Sequence, residues 1–496
     1  MLSALDVTLL FAYYLLLTGL AVFGAHRLWM VWSLRRLRRA APEVRPELSV
    51  SSWPSVTVQL PLYNEPSVAR RLIDAVAALD YPADRLAIHI LDDSTDVETS
   101  AACAEAARHW GARGLDVQHL RRASRAGFKA GALAWGLERD RSELIAIFDA
   151  DFLPPRDFLR RLAPEFAADP RLGLVQARWG HLNRESSLLT RLQATMLDGH
   201  FRIEHAVRAA TGRFFNFNGT AGIWRRAAID DAGGWEGDTL TEDLDLSYRA
   251  QLRGWRFVYR DDVVAPAELP AAMAAYRSQQ QRWAKGSMEV ARKLGPRILR
   301  AHLPRPAKAE AAFHLLGNSG HLMMVLLLGL SFPVFSLREL HGLVELRWLD
   351  AALFFPATAA FFLYFLTAAR LGGSRPSRAA VLGLGCMMLG VGMALNNASA
   401  VIQGLLGRRT AFVRTPKTGA VGRKSQPLGL RGRSLLPLGE AAFGCYFLLM
   451  VATAKIYWVW PATTFAGLMA AGCFFVASQG VFERGAWWLQ SATSRK

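Results

Sequence analysis

Apolar residues are spread unevenly along this chain, and the pattern changes character twice. Residues 7–26 hold no Asp, Glu, Lys or Arg, and Arg27, Arg35, Arg36, Arg38, Arg39 and Arg45 follow. A run of about 20 apolar residues is long enough to cross a bilayer. A cleaved leader carries its charge before the apolar core, whereas here the charge comes after. The run is therefore expected to remain as an anchor, with its N-terminus outside and residue 27 onward in the cytoplasm.

From Val56 the pattern turns to short apolar runs that end in polar residues. Val56 to Leu62 leads into Tyr63-Asn64-Glu65, Leu86 to Leu91 into Asp92-Asp93, and Leu144 to Phe148 into Asp149-Ala150-Asp151. Helical stretches such as 67–79 and 99–112 lie between them. This alternation predicts an α/β domain: a doubly wound, Rossmann-like, mostly parallel sheet, covered on both faces and inserted between transmembrane helices. Ligands of such sheets bind beyond the carboxyl ends of the strands, where these acids and amides gather.

After about residue 310 apolar runs return. Spans are expected near 313–337, 349–369, 436–457 and 461–481, with Tyr457, Trp458 and Trp460 at the outer interface. The run 380–406 is apolar enough for another span. However, residues 408–433 hold eight basic residues and no acid, and a further crossing would put them outside. The run is expected instead to lie on the cytoplasmic surface or to be re-entrant, giving about five spans plus cytoplasmic interfacial helices and a cytoplasmic C-terminus. The expected division is an anchor and basic flank (1–48), a cytosolic domain (49–265), interfacial helices (266–310), a transmembrane pair (311–370), an interfacial helix and loop (371–434), and a second pair with the tail (435–496).

Composition changes this little. The chain of 496 residues is 52% hydrophobic with net charge +18. A basic excess can serve nucleic acid, but these clusters flank apolar runs, where the positive-inside rule and anionic headgroups account for them. Membrane lipid, not nucleic acid, is the expected partner. Cys103, Cys386, Cys445 and Cys473 are far apart and form neither a disulfide framework nor a zinc site.

The candidate chemistry lies within and just after the soluble stretch. In Gln279-Gln280-Gln281-Arg282-Trp283, a helix presents Gln279, Arg282 and Trp283 on one face. Arg offers planar donors for phosphate and Trp a platform for a sugar ring; the same spacing also suits an amphipathic helix with a buried Trp. Asp149-x-Asp151, in an extended segment, puts two carboxylates on one side, a pair able to hold Mg2+ or Mn2+ against a diphosphate. Asp92 and Asp93 could accept bonds from a base or ribose, or merely form a turn. Arg122, Arg125 and Lys129, among small residues, suit phosphate or a solvated surface. Thr241-Glu242-Asp243 opens a helix to about Gln251, with Thr241 a fair cap and the acids favourable to the dipole. Asp243 is also the best candidate for a base taking the proton of an attacking sugar hydroxyl. One base with no carboxylate nucleophile predicts inversion.

These motifs together resemble the processive family 2 glycosyltransferases of the cellulose synthase superfamily, most of all the cellulose-synthase-like A and C branch of β-mannan and β-glucan synthases. The likeness runs through Val58 to Glu65, Leu91 to Asp96, Gly127 to Gly131, Asp149 to Asp151, Phe217 to Gly222, Thr241 to Leu246, the Gln279 pentad and Phe412 to Lys417. It implies that Tyr63, Glu65, Asp92 and Lys129 contact the nucleotide and that Asp149 and Asp151 hold the metal. Asn218, Gly219 and Thr220 would border the acceptor, with Asp243 as base, Gln279 and Arg282 on donor and diphosphate, and Trp283 under the acceptor sugar. Thr415 and Lys417 would belong to a loop closing over the donor diphosphate. Against that pattern, one N-terminal span replaces a longer set and no C-terminal regulatory domain is expected, so built-in cyclic-dinucleotide control is not expected either.

The implied activity is an inverting hexosyltransferase of a bacterial-type inner membrane. It would extend a β-linked polysaccharide from UDP-glucose or GDP-mannose onto a growing glycan, with export through its own helices and room for accessory export proteins. A polar path is needed because a buried hydroxyl without a partner costs kilocalories; Asn318, Ser319, His321, Asn396 and Asn397 could line it or simply bond between helices. The competing readings are a single-addition enzyme with a lipid acceptor, an inactive scaffold or secretion channel, and a basic nucleic-acid binder.

Overall fold

The computed structural model describes residues 2–39, 52–408, 436–456 and 466–480. Helix α1 (Ala4–Arg39) is followed by β1 (Val56–Leu62), α2 (Ala69–Ala77), β2 (Leu86–Asp92), α3 (Val97–Gly111), β3 (Asp116–Leu120), α4 (Phe128–Glu138) and β4 (Leu144–Ile147). Next come α5 (Phe158–Leu162), α6 (Pro164–Ala168), β5 (Leu172–His181), α7 (Leu188–Gly199), a π-helical turn over His200–His205, and α8 (Ala206–Ala210). Then follow β6 (Gly222–Arg225), α9 (Arg226–Asp231), α10 (Glu242–Leu252), β7 (Arg256–Ala267) and α11 (Met273–Arg300). The last helices are α12 (Arg305–Leu316), α13 (Ser319–His341), α14 (Arg347–Leu371), α15 (Pro376–Gly392), α16 (Ala394–Leu405), α17 (Leu436–Ile456) and α18 (Ala466–Gly480).

The strands form one sheet in the order β3-β2-β1-β4-β6-β5-β7. β6 runs antiparallel to β4 and β5, and every other pairing is parallel. The sheet is thus mixed but mostly parallel, as the sequence predicts. Val56, Val58, Leu60, Ile88, Ile90 and Ile145 to Ile147 are fully buried, because helices cover both faces and each strand must be apolar on both. Chain order reverses between β1 and β4, which opens a crevice at their carboxyl ends.

The reversed strand β6 has a consequence for that crevice. Since it runs against its neighbours, the residues before it, 218–221, emerge at the carboxyl ends of β4 and β5. The amide of Ala221 donates to Ile147 O at 2.9 Å and that of Ala177 to Ala221 O at 3.0 Å, which fixes this segment beside the end of β4.

Among the described residues, three helical segments are long and apolar enough to cross a membrane: Ala4–Arg39, Ser319–His341 and Val344–Leu371. The pair α15 and α16 bends by 52° and adds a fourth if it is one span. α17 and α18 supply shorter apolar stretches, Leu436–Ala452 and Ala466–Gly480. Leu5, Phe11 and Leu15 on α1 are 60–68% exposed, as suits a lipid-facing side. Gly392 lies so close to α18 that an added Cβ would sit 2.5 Å from Gly472 O, the small-residue packing common between membrane helices. The aromatic residues Tyr457, Trp458 and Trp460 and most of the basic loop 408–433 lie outside the described residues.

One expectation needs correction: the basic stretch 284–310, which reads from sequence as a membrane-surface helix, is not one helix. α11 continues unbroken from the Gln279 pentad through a buried segment, Ala284 to Val290, to Arg300, and α12 begins only at Arg305. Pro304 disfavours helical geometry in the residue before it and separates the two. The polar residues for which both a path and bonds between helices were open have these partners. Asn318 donates to Ser287 Oγ (3.0 Å), Asn396 to Arg277 O (3.2 Å), and Asn397 bonds His321 Nε2 (3.2 Å). These are bonds between helices.

A buried ionic cluster ties the sheet domain to the apolar helices. Glu204, in the π-helical turn, pairs with Arg27 of α1, accepts from Arg208 of α8 at 3.0 Å, and accepts from the Tyr364 hydroxyl of α14 at 2.6 Å. Arg208 donates onward to Glu310 of α12 at 2.8 Å, and Glu310 meets His26 Nε2 at 2.9 Å. Burial alone would raise the Glu204 carboxyl, but Arg27 and Arg208 outweigh it and hold it well below its ordinary range. Removing one partner of such a cluster strands the others. Glu204→Gln, nearly isosteric, is expected to destabilise the detergent-solubilised protein by about 3–5 kcal/mol in thermal or denaturant unfolding; a change within about 0.5 kcal/mol contradicts the bridging role.

Candidate active site

One cleft opens at the carboxyl ends of β1, β4 and β5, with an empty volume of about 1730 Å3 that includes open solvent. Tyr63 and Glu65 enter it just beyond β1, Asp149 and Asp151 beyond β4, and Asn218 and Gly219 ahead of β6. Glu242 and Asp243 come from the first turn of α10, Lys129 from the first turn of α4, and Gln279, Arg282 and Trp283 from one face of α11. Side chains separated by up to 220 positions in sequence therefore share one hollow, and Asp151, Asp243 and Trp283 are among them.

Asp149 and Asp151 reach the cleft by a different backbone route from the one expected. The segment is not extended: β4 ends at Ile147, and the amide of Phe152 donates to Asp149 O at 3.0 Å across a turn. The turn delivers both carboxylates to the same side without strand alternation. Thr220 Oγ1 accepts from the Asp149 amide at 2.9 Å, so Thr220, fully buried, sits behind the cleft and orients Asp149 rather than lining the cavity.

Asp92 also lies behind the lining. It is 1% exposed, meets His119 Nε2 at 2.9 Å and accepts from the Ser94 amide at 2.9 Å. Burial would raise its carboxyl, yet the bonds from His119 and Ser94 hold it down at about 2. Its neighbour Asp93 faces the cleft and takes two bonds from Arg122, at 2.7 and 2.6 Å. The guanidinium of Arg125 stacks 3.3 Å above the Tyr63 ring. Thr415 and Lys417 lie outside the described residues.

Lys129 is the centre of the charge arrangement. Its Nζ lies 2.5 Å from Asp149 Oδ1 and 2.7 Å from Gly219 O. Gly219 adopts φ +80°, and a Cβ there would stand 3.1 Å from Asp243 Oδ2. Only glycine allows both that conformation and that approach. Burial, then the adjacent Glu242, pushes the Asp243 carboxyl up to about 7 from its usual 3.8. Glu242 is raised as well, burial again coming first. Burial lowers the Arg282 guanidinium against the pull of Glu242, Asp149 and Asp243.

Asn218 is held from behind. Its amide donates to His200 Nε2 at 2.8 Å, and burial brings His200 down to about 4, so the ring is neutral and able to accept. The Asn218 backbone amide donates to Gln176 Oε1 at 3.1 Å, and Gln176 Nε2 reaches Thr220 O and Ala221 O at 3.1 and 3.0 Å.

Thr241 precedes α10, but its side chain makes no capping bond. Its Oγ1 packs instead against Gly286 of α11, where an added Cβ would be 2.6 Å away. A second acidic group, Glu236, Asp238 and Asp245, stands apart and is filled by Lys293 Nζ at 2.6, 2.8 and 3.0 Å. Sequence reasoning overlooked Trp179, His181 and Glu268, which also line the cleft. Their signal was position at the end of a parallel strand, in β5 and just beyond β7.

Residues 54–286 match a family model described as "Glycosyltransferase like family 2". Glucomannan 4-beta-mannosyltransferase 2 of Arabidopsis thaliana is 46% identical over 257 residues, covering 51% of this chain and 48% of that protein. Glucomannan 4-beta-mannosyltransferase 1 of Oryza sativa subsp. japonica is 43% identical over 262 residues, covering 52% and 50%. The chain spans about half the length of the curated relatives it matches. Among solved structures, the mannosyltransferase PcManGT from Pyrobaculum calidifontis, in complex with GDP-Man and Mn2+, shares the fold with a TM-score of 0.52 at 22% identity, over 79% of this chain and 100% of that one.

The raised Asp243 carboxyl carries a stability consequence. The folded chain keeps this proton to about pH 7, whereas an ordinary aspartate loses it near 3.8. Unfolding between those values releases a proton, so stability falls as pH rises through that window. Asp243→Asn, which cannot ionise, is expected to melt above wild type at pH 8, with the gain shrinking as pH is lowered toward 4. Equal melting of the two proteins at pH 8 contradicts the assignment.

Proposed function

We propose that this protein, whose residues 54–286 match a family model described as "Glycosyltransferase like family 2", is a membrane-embedded, metal-dependent, inverting hexosyltransferase. It extends a β-linked polysaccharide of the mannan or glucomannan type from GDP-mannose, with UDP-glucose as the alternative donor. The observation that carries this reading is the meeting of Asp149, Asp151, Asp243, Arg282 and Trp283 in one cleft at the sheet's carboxyl edge. The mannosyl preference is supported by the names of the relatives, glucomannan 4-beta-mannosyltransferases, and by a fold neighbour in complex with GDP-Man and Mn2+.

The donor set fits a hard divalent ion: two carboxylates on one side of the cleft, with the Lys129 ammonium on Asp149. Asp149 and Asp151 would hold Mg2+ or Mn2+, which when bound neutralises charge building on the departing nucleoside diphosphate. Gln279 and Arg282 grip the diphosphate, and Tyr63 and Glu65 border the nucleotide. Trp283 gives the acceptor sugar a flat apolar floor, while Asn218 and Gly219 border it. An acceptor hydroxyl attacks the anomeric carbon from the face opposite the diphosphate, and its proton passes to Asp243. The bond from that carbon to phosphate oxygen breaks with its electrons on the leaving group, so an α-linked donor yields a β-linked product. Thr220 acts through Asp149, and Thr415 and Lys417 are assigned to closure over the donor by resemblance alone.

In this reading the basic end of α1 and the sheet domain lie on the cytoplasmic side and the N-terminus outside. The five apolar segments form the route for the polymer, with 380–406 bent rather than crossing straight. The division into anchor, catalytic domain, pentad helix and apolar pairs follows from it.

Purified protein given labelled GDP-mannose and Mn2+ is expected to make a β-linked polymer, to stop when EDTA removes the ion, and to recover when Mn2+ returns. Asp243→Asn should lower transfer by about 10²–10⁴-fold while nucleotide binding is kept. A single sugar placed on lipid establishes the glycolipid-forming alternative instead. Transfer unchanged in Asp243→Asn removes the catalytic assignment.

A further inference from the structure

We propose that Lys129 is a resident counter-cation of the metal site, competing with the divalent ion for Asp149 and making ion binding depend on the nucleoside diphosphate. The inference rests on the reading that Asp149 and Asp151 hold the ion. Sequence alone pointed Lys129 at phosphate, whereas the structure shows its ammonium on Asp149 Oδ1 and on Gly219 O, at 2.5 and 2.7 Å. A carboxylate and a carbonyl oxygen are the hard donors that Mg2+ or Mn2+ would itself seek.

The fold leaves the ammonium little freedom to stand elsewhere on the protein. Gly127, at φ +69°, turns the chain into α4 and sets Lys129 in the first helical turn. The side chain is 20% exposed and points among Asp149, Glu242 and Asp243. A Cβ on Gly219 would lie 3.4 Å from Lys129 Nζ and 3.1 Å from Asp243 Oδ2, so cation and proposed base are within one side chain of each other.

An ion bound to Asp149 would therefore sit a few ångströms from a positive charge held by the same carboxylate, and that repulsion weakens the ion. An arriving diphosphate changes both sides of the balance. It gives the ammonium new oxygen partners, which frees Asp149, and it brings further negative ligands to the ion. Lys129 thus acts on ion binding through Asp149 and orders the assembly of donor and metal, which keeps the acidic site from holding a divalent ion before a donor is present.

The test is Mn2+ binding to the full-length, detergent-solubilised protein, read by the electron paramagnetic resonance of free Mn2+, with and without GDP. Wild type is expected to bind Mn2+ at least about tenfold more tightly with GDP than without it. Lys129→Met should bind Mn2+ alone about tenfold more tightly than wild type and show a smaller dependence on GDP. Lys129→Gln, polar but uncharged, guards against misfolding and should behave the same way, whereas Lys129→Arg should remain like wild type. Mn2+ alone should also raise the melting temperature of Lys129→Met more than that of wild type. If both neutral variants bind Mn2+ alone no more tightly than wild type, while GDP still promotes binding in an Asp149-dependent way, the Lys129 role is overturned and the metal site stands. If wild type binds no Mn2+ even with GDP, or Asp149→Asn binds it equally well, the metal-site reading falls and this inference with it.

Discussion

Four carboxylates, those of Asp149, Asp151, Glu242 and Asp243, are drawn to one sheet edge, and like charges so close disfavour ionisation unless cations stand among them. Much of the local architecture answers that constraint. Lys129 bonds one carboxylate directly, and Arg282 is held in the field of three. At Asp243 burial and the adjacent Glu242 outweigh Lys129, and the carboxyl holds its proton far above the usual range. A site arranged this way has strong attraction for a divalent ion and a diphosphate arriving together. It also contains a carboxyl whose proton affinity suits a base near neutral pH.

Helix α11 joins this site to the apolar helices. One face carries Gln279, Arg282 and Trp283 into the cleft, while Arg277 pairs with Glu440 of α17 and donates to Val476 O of α18 at 2.8 Å. Asn396 of α16 reaches the Arg277 carbonyl from the same side. A single helix thus carries the cleft-facing Gln279, Arg282 and Trp283 and the contacts to the apolar helices. The Glu204 cluster makes a second tie, from α1 and α14 through the π-helical turn to His200 and Asn218. The cleft is thus held to the apolar helices at two points, which under the proposed function would keep its acceptor end fixed relative to them.

The strands β1, β2 and β4 were legible because burial on both faces leaves an unbroken apolar run that ends abruptly. β6 has only four residues, and β7, at the sheet's edge, is interrupted by the charged run Arg260-Asp261-Asp262, so neither gives that signal. The cleft residues were legible as motifs, since each brings an unusual polar cluster to a strand end or a helix start. What the sequence could not resolve was which of two adjacent side chains faces inward. Asp92 and Asp93 are equal on paper, but register pairs Asp92 with Leu62 inside the sheet and leaves Asp93 at the rim. Thr220 likewise looks like part of the Asn218 to Thr220 lining until the bond to the Asp149 amide sets it behind. The pairing of Lys129 with Asp149 spans 20 positions and two elements, beyond the reach of any local pattern.

The central claim, that one cleft gathers ion, nucleotide, base and indole, is tested most directly by a density map of the full-length protein with GDP-mannose and Mn2+. The account predicts the ion between Asp149 and Asp151, the diphosphate against Gln279 and Arg282, and the mannosyl ring between Asp243 and Trp283. An ion seated at Glu236, Asp238 and Asp245, or a nucleotide bound away from the ends of β1 and β4, would contradict it.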